Sequence, residues 1–388
     1  MAFPDVPLTL GVEEEYQIVH PQTRDLHSYV QEFLEQGKLI FPEEELKPEF
    51  MQSQIEVGSQ VCRNVREVRQ EVVRLRRTVA KIARDNDLCI AAASTHPFAD
   101  WSAQQVTDAQ RYRKLLDRLQ GVASRLLIFG CHIHLGFGGQ NELMIEIMNQ
   151  LRYFLPHLLA LSTSSPFWQG KDTGLKSYRS VFFEMLPRTG IPQSFRSYAE
   201  FEGFVDLLGR VGSIRNEQTG QPDPTKIWWD VRPHMKFGTL EVRIADVCTK
   251  VDEIVCLAAL VQATAYKLIV MHRRNQSWRR YRRAHLVENK WRAMRYGVEG
   301  KLIDFGKREE VPMNFLALEW LEWVDDVVDE LGSRAEVEHV RAILAEGTSA
   351  DRQLRTYRRA LKDGASEQDA LFAVVDQLVA ETLEGTGA

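Results

Sequence analysis

No two of the five cysteines (Cys62, Cys89, Cys131, Cys248, Cys256) form a C-x-x-C pair, and their number is odd. That fits reduced thiols in a cytosol better than a disulfide framework. Neither G-x-x-x-x-G-K-[ST] nor G-x-G-x-x-G occurs, so a nucleotide would not be held by those loops. The opening "MAFPDVPLTLGVEEE" has no basic segment followed by an apolar run, so no secretory signal is visible. Long uninterrupted hydrophobic runs are also missing. The most apolar stretch, "IVCLAALVQATAYKLIVM", carries Gln262, Thr264 and Lys267 and reads as a buried helix rather than a membrane span. Nor is there an excess of basic charge: a net charge of −5 gives no push toward nucleic acid or acidic membranes. The expectation is a cytoplasmic protein with neither nucleic acid nor membrane as partner.

What is present is ordinary for a globular protein of 388 residues, with 44% apolar and 27% charged side chains. In "TLGVEEEYQIV", residues 9–19, Leu10, Val12, Tyr16 and Ile18 recur with the period of a strand, placing Glu13, Glu15 and Gln17 on the opposite face. A loop-rich acidic segment, 20–48, precedes a second strand, "FMQSQIEVGSQV". From Val65 the apolar residues are spaced three and four apart, which predicts a helix. "LCIAAAST" and "RLLIFGCHIHLGFG" read as strands, and helices are expected near 141–162 and 196–210. "IWWDVRPHM" and "GTLEVRIADV" read as two strands around a turn at Phe237–Gly238, before a helix over 252–273. Beyond about 307 the pattern is helical. Polar-against-apolar strands predict an α+β fold whose antiparallel sheet carries helices on one face only.

The polar faces share a chemistry. Glu13 and Glu15, Glu56, His132 with His134, and Glu241 with Arg243 each sit on the polar side of a strand. Asp230, Arg232 and His234 do so on a neighbouring one. Carboxylates gathered on one sheet repel unless cations intervene. A donor set rich in oxygen with an imidazole suits Mg²⁺ or Mn²⁺, and arginine beside it suits phosphate. Two alternatives stay open. His132 and His134 with a carboxylate could hold a hydrolytic zinc, or the chain could bind a nucleotide without turnover. The basic run "HRRNQSWRRYRRAH" is a solvated helix or loop more readily than an RNA site.

Seven stretches in order, "GVEEEY", "GCHIHLGF", "SSPFWQGKDTGLKSYRS", "PRTGIP", "WWDVRP", "TLEVRIADVC" and "NKWRAMRYGVEGKLID", resemble the YbdK-type carboxylate–amine ligases of the glutamate–cysteine ligase type 2 family. The resemblance runs from about residue 8 to 305. It implies a glutamine-synthetase-like fold: a curved antiparallel sheet with helices on its outer face. A catalytic domain over 1–306 and a C-terminal helical segment over 307–388 are expected. It also implies an ATP-dependent ligase that forms an amide through an acyl phosphate, with weak glutamate–cysteine ligase activity, small-molecule substrates and a homodimer. The resemblance makes Glu13, Glu15, Glu49, Glu56, His132 and Glu241 metal ligands for Mg²⁺ or Mn²⁺. Glu49 is the awkward member. It stands seven residues from Glu56, so it must precede the strand or be shifted by a bulge. Arg243, Glu241 and Arg179 are the candidate catalytic residues. His134, Tyr178, Arg188, His96 and Asp246 are the candidates for substrate or ATP.

Overall fold

The computed structural model describes residues 6–37, 41, 45–216 and 219–387. Its main sheet is antiparallel throughout. It comprises β1 (Thr9–Val19), β2 (Leu46–Pro48), β3 (Gln54–Gly58), β4 (Cys89–Ala91), β5 (Cys131–Gly136), β10 (Val231–His234) and β11 (Thr239–Val242), in the order β10-β11-β5-β1-β3-β2, with β4 also on β1. Three minor pairs complete the strands: β6 (Phe167–Trp168) with β7 (Lys171–Asp172), β8 (Thr189–Gly190) with β9 (Trp228–Trp229), and β12 (Lys301–Asp304) with β13 (Glu309–Pro312). The helices are α1 (Val30–Gly37), α2 (Val65–Arg84), α3 (Gln110–Leu119), α4 (Asn141–Leu151), α5 (Leu155–Ser162), α6 (Arg179–Glu184) and α7 (Tyr198–Arg210). They continue as α8 (Val251–Arg273), α9 (Arg283–Tyr296), α10 (Met313–Val328), α11 (Arg334–Glu338), α12 (Val340–Glu346), α13 (Ser349–Lys362) and α14 (Glu367–Leu383).

β1 is the spine. Its residues 13–17 pair with β3 on one edge, and residues 9–14 pair with β5 on the other. Leu10, Val12, Tyr16 and Ile18 bury on the side covered by α2 and α8. Asn64 caps α2, its side chain accepting from Glu67 N at 3.0 Å, and Val65, Val68, Val72, Leu75 and Val79 carry the packed face. α8 passes the length and composition test for a membrane span, yet 83% of its most apolar window is buried. Its neighbours include α2, α4, α10 and α11.

One charged residue of β1 points to the packed side. Glu14 meets Arg76 of α2, with Arg76 Nε donating to its Oε2 at 3.1 Å and Nη2 donating to its Oε1. Arg76 also donates to the carbonyls of Cys248, Thr249 and, from α14, Thr382. Tyr16 Oη donates to Glu14 at 2.7 Å. The pair is fully buried and its donors and acceptors are met from four parts of the chain.

Several elements differ from the sequence expectation. The helix expected over 141–162 is two helices, α4 and α5. The break comes at 152–154, just before Pro156, which lacks the N–H a continuous helix needs. It turns Phe154 into a cluster with Trp278, Trp320 and Trp323. The segment 20–48 contains α1 and the short β2; its residues 38–40 and 42–44 lie outside the described residues. The strand expected over 125–138 is ordered as β5 only from Cys131. α3 carried no sequence expectation, and the region beyond 307 opens with β13 before turning helical. The 306/307 boundary therefore falls in the turn of the β12–β13 hairpin.

Candidate active site

The face of the sheet opposite α2 and α8 lines a cavity of about 620 Å³. Around it stand Glu13, Glu15, Glu49, Glu56, His132, Glu241, Arg179, Arg232 and Arg243. Register explains the convergence: Glu15 lies opposite Glu56, Glu13 opposite His132, and Glu241 opposite both His134 and Arg232. Cross-strand neighbours on one face are within side-chain reach. Glu49 precedes β3, in the bend after β2, and follows Lys47 by two. Lys47 is itself paired with Glu56. The awkward seven-residue spacing is thus spanned by a reversal of the chain and needs no bulge.

Two groups of donors lie within 4.8 Å of one another: Glu13, His132 and Glu241, and Glu15, Glu56 and His132. His132 Nδ1 lies 3.1 Å from Glu13 Oε2 and 3.8 Å from Glu241 Oε1. His134 Nδ1 lies 2.9 Å from Thr239 Oγ1. Its Nε2 sits 3.5 Å from Glu13, buried and without a hydrogen bond. Lys47 Nζ donates to Glu13 Oε1 at 3.0 Å and Glu56 Oε1 at 2.9 Å. Glu15 accepts from Gly130 N at 2.7 Å and Gln54 Nε2 at 2.6 Å. A β-carbon at Gly130 would lie 3.0 Å from both Arg179 Nη2 and His132 Nε2, so glycine is what lets those side chains lie over the strand.

The arginines form a wall. Arg232 Nε donates to Glu241 Oε2 at 2.6 Å, and Arg243 Nη1 donates to Glu241 Oε1. The guanidinium carbons of Arg179 and Arg243 lie 5.1 Å and 5.9 Å from the centre of the Phe183 ring. Buried Nε atoms of Arg179 and Arg243 make no hydrogen bond. Donors left unmet in a polar cavity are what an anionic ligand would satisfy.

These surroundings set the protonation states. Burial pushes Glu241 up, but Arg232 and Arg243 outweigh it and hold the carboxyl well below the usual range. Glu13 follows the same pattern, with burial outweighed by His132, His134 and Lys47. Burial and neighbouring Glu56 raise Glu15 to about 7, against the Gly130 N–H and the arginines. Burial and Arg243 push His132 down to about 4. His134 goes up, because Glu13 and Glu241 outweigh its burial.

Other residues singled out from the sequence lie elsewhere. Tyr178 packs its ring on Trp168 and Phe182, centroids 5.9 Å and 5.2 Å away. His96 is buried; its Nδ1 accepts from Phe98 N and Ala99 N, which makes Nε2 the donor to Arg24 O at 2.8 Å. Arg188 donates from Nε to Lys226 O at 3.0 Å and covers Trp228, whose residue lines the cavity. Asp246 is wholly buried and accepts from Ser164 N, Ser165 Oγ and Ser177 Oγ at 2.7–2.9 Å. It thereby ties the two ends of the "SSPFWQGKDTGLKS" loop and so sets the start of α6, from which Arg179 projects.

Sequence reasoning gave no role to Lys47, Gln54 or Lys290, and placed Arg232 on the polar face without a role of its own. Gln54 shares the parity of Glu56, so it was within reach of the parity argument that placed Arg232. Lys47 lies on a three-residue strand too short to announce itself. Lys290 of α9 is almost fully buried and donates to Asp230 at 2.8 and 3.0 Å; the Asp230 carbonyl accepts from Arg243 N.

The model of the glutamate–cysteine ligase family 2 matches residues 9–373. A protein of Herpetosiphon aurantiacus provisionally named glutamate–cysteine ligase 2 is 53% identical over 382 residues, 98% of this chain and 95% of the relative. A protein of Roseiflexus castenholzii with the same provisional name is 53% identical over 384 residues, 99% and 97% of the two chains. Among solved structures, a glutamate–cysteine ligase of Francisella tularensis in complex with AMP superposes with a TM-score of 0.66 at 14% identity, over 100% of this chain and 94% of that one. A bifunctional glutathione synthetase of Pasteurella multocida gives 0.65 at 15% identity, over 97% of this chain and 53% of that one. At such identities the structural likeness is one of fold.

Proposed function

This chain belongs to the glutamate–cysteine ligase family 2, and from that membership and the geometry of the cavity we infer that it is an ATP-dependent carboxylate–amine ligase. A carboxylate oxygen attacks the γ-phosphorus of ATP, and ADP leaves. The amine nitrogen then attacks the acyl carbon, phosphate leaves, and the nitrogen gives up a proton. Glutamate and cysteine are the substrates the family points to. The observation that carries the proposal is the pair of acidic donor groups sharing His132 within reach of three buried arginines.

The donors fit a hard divalent cation. They are mostly carboxylate oxygens with one imidazole and no thiolate, and His134 Nε2 adds a buried nitrogen without a hydrogen bond. Glu13, His132 and Glu241 would hold one ion, and Glu15 and Glu56, with Glu49 beside them, another, as Mg²⁺ or Mn²⁺. Bound there, the ions supply positive charge against the phosphates of ATP. Arg243 and Arg179 offer their free Nε–H groups to the transferring phosphoryl group or the substrate carboxylate. Arg232 keeps Glu241 ionised. Trp228 and Phe183 are the apolar walls that limit water around the acyl phosphate. A curved sheet with this cavity on its inner side, a catalytic part over 1–306 with 307–388 packed on it, cytoplasmic residence and a homodimer belong to the same proposal. Tyr178, Arg188 and Asp246 then act by shaping the walls, and His96 has a structural role away from them.

ADP release should require ATP, an amino-acid carboxylate, an amine and Mg²⁺ in the millimolar range, on the order of what an ion held by a few carboxylates and substrate phosphates needs. A screen over pairs of amino acids and amines reads this directly. Full activity in excess EDTA, or ATP-independent hydrolysis that follows bound zinc, would replace the ligase with a hydrolase built on His132 and His134.

A further inference from the structure

Lys47 ties together carboxylates that belong to different donor groups. Its ammonium lies 3.0 Å from Glu13, a member of the group with His132 and Glu241, and 2.9 Å from Glu56, a member of the group with Glu15. Arg232 and Arg243 contact Glu241, and Arg179 lies over Phe183, whereas Lys47 bridges the two groups. It projects from β2, an edge strand of three residues that pairs, among the described residues, with β3 alone. Its side chain is 30% exposed, while Glu56 is 9% exposed. A flexible four-carbon stem on a short edge strand can leave a contact that buried, strand-held carboxylates cannot.

We propose that Lys47 is a resident counter-cation that competes with divalent metal for Glu13 and Glu56, setting the metal affinity of the nucleotide-free protein and turning outward when metal binds. The proposal rests on the ligase reading of this site. Two oxygens within about 3 Å of one ammonium are positioned as they would be around a cation, so the site is held open in shape without metal. The same contact must be given up for those oxygens to ligate. Lys47 thus acts on the metal through the carboxylates, as a positioning residue.

Two measurements test this without turnover. In Lys47→Met, Mn²⁺ binding to nucleotide-free protein, followed by calorimetry, should tighten about fivefold, the worth of one partly exposed ion-pair contact of ~1 kcal/mol. Lys47→Arg, which keeps the charge, should stay near wild type. In the wild-type protein, reductive methylation of Lys47, read by mass spectrometry, should speed up several-fold on adding Mn²⁺; this arm needs no variant to fold. Unchanged or weaker Mn²⁺ binding in Lys47→Met, or methylation that is unchanged or slower with Mn²⁺, would overturn the proposal. If the wild-type protein binds no Mn²⁺ that Glu241→Gln abolishes, it is the metal site itself that fails.

Discussion

Glu13, Glu14 and Glu15 are consecutive and chemically identical, and β1 sends them to opposite fates. Glu14 enters the packed side, where Arg76, Tyr16 and three backbone carbonyls close a complete network around it. Glu13 and Glu15 enter the cavity, where they stand among other acids, two histidines, Gln54 and the partly exposed Lys47, and where His134, Arg179 and Arg243 keep unmet polar atoms. A finished network stabilises; an unfinished one binds. The difference is set by the neighbouring strands and helices, since the residue type is the same.

The comparison can be broken most forcefully on the closed side. Arg76→Met leaves Glu14 buried without its cation, a change that costs about 3–5 kcal/mol. Chemical denaturation should show that loss, and added Mg²⁺ should not restore it. A variant as stable as wild type would mean that the network is dispensable. On the open side the balance reverses. Arg243→Ala should cut turnover by about 10²–10³-fold, the usual weight of a group that meets developing charge, while the melting temperature moves little. Near-normal ADP release by this variant would remove Arg243 from the chemistry.

Buried histidines away from the cavity sharpen the contrast through pH. Burial pushes both His96 and His157 down to about 4 from an ordinary 6.5. The unfolded chain therefore takes up protons that the folded chain refuses, and stability is lost as pH falls from about 6.5 toward 4. Each residue contributes up to about 3 kcal/mol at the acid end, since one pKa unit is ~1.4 kcal/mol. His157 stands among Tyr153, Phe154 and Trp320 with Nδ1 unbonded, so His157→Leu should flatten the slope of unfolding free energy against pH. An unchanged slope would show that other groups drive the acid loss. The smallest effect is expected at Glu56→Gln. In EDTA it should alter stability by no more than about 1 kcal/mol, because it removes a repelling charge and a partly exposed ion-pair partner together. It should still lose most activity. A large destabilisation would make Glu56 a structural residue.

Most of the cavity was legible in the sequence because strand parity is a local property. Glu13 with Glu15, His132 with His134 and Glu241 with Arg243 each declare a shared face two residues apart, and α2 declares itself by spacing. What could not be read are partnerships made at long range or by very short elements. Arg76 belongs to an apolar helix face yet answers Glu14, 62 residues earlier, and Thr382, 306 residues later. Lys47 depends on β2, and the placement of Glu49 depends on the same reversal. His96 and Tyr178 sit in motifs beside the site, but their rings are taken up by neighbours that only folding supplies. The division at 141–162 had its signal in Pro156, which tolerates a helix start and so marks a new helix as readily as a broken one.

The order of elements along the chain has a consequence for synthesis. All seven strands of the main sheet lie before residue 243, and α8, apolar enough to pass for a membrane span, begins at Val251. A ribosome therefore delivers the sheet, α2 and α4, part of the surface that covers this helix, before the helix itself, and α10 and α11 after it. Gln262 donates to Leu8 O, so the midpoint of α8 closes against the chain just before the spine. Polypeptides emerge at about 5–20 residues per second, which leaves the sheet a span of seconds to assemble. Its apolar face can then take in α8 as it appears.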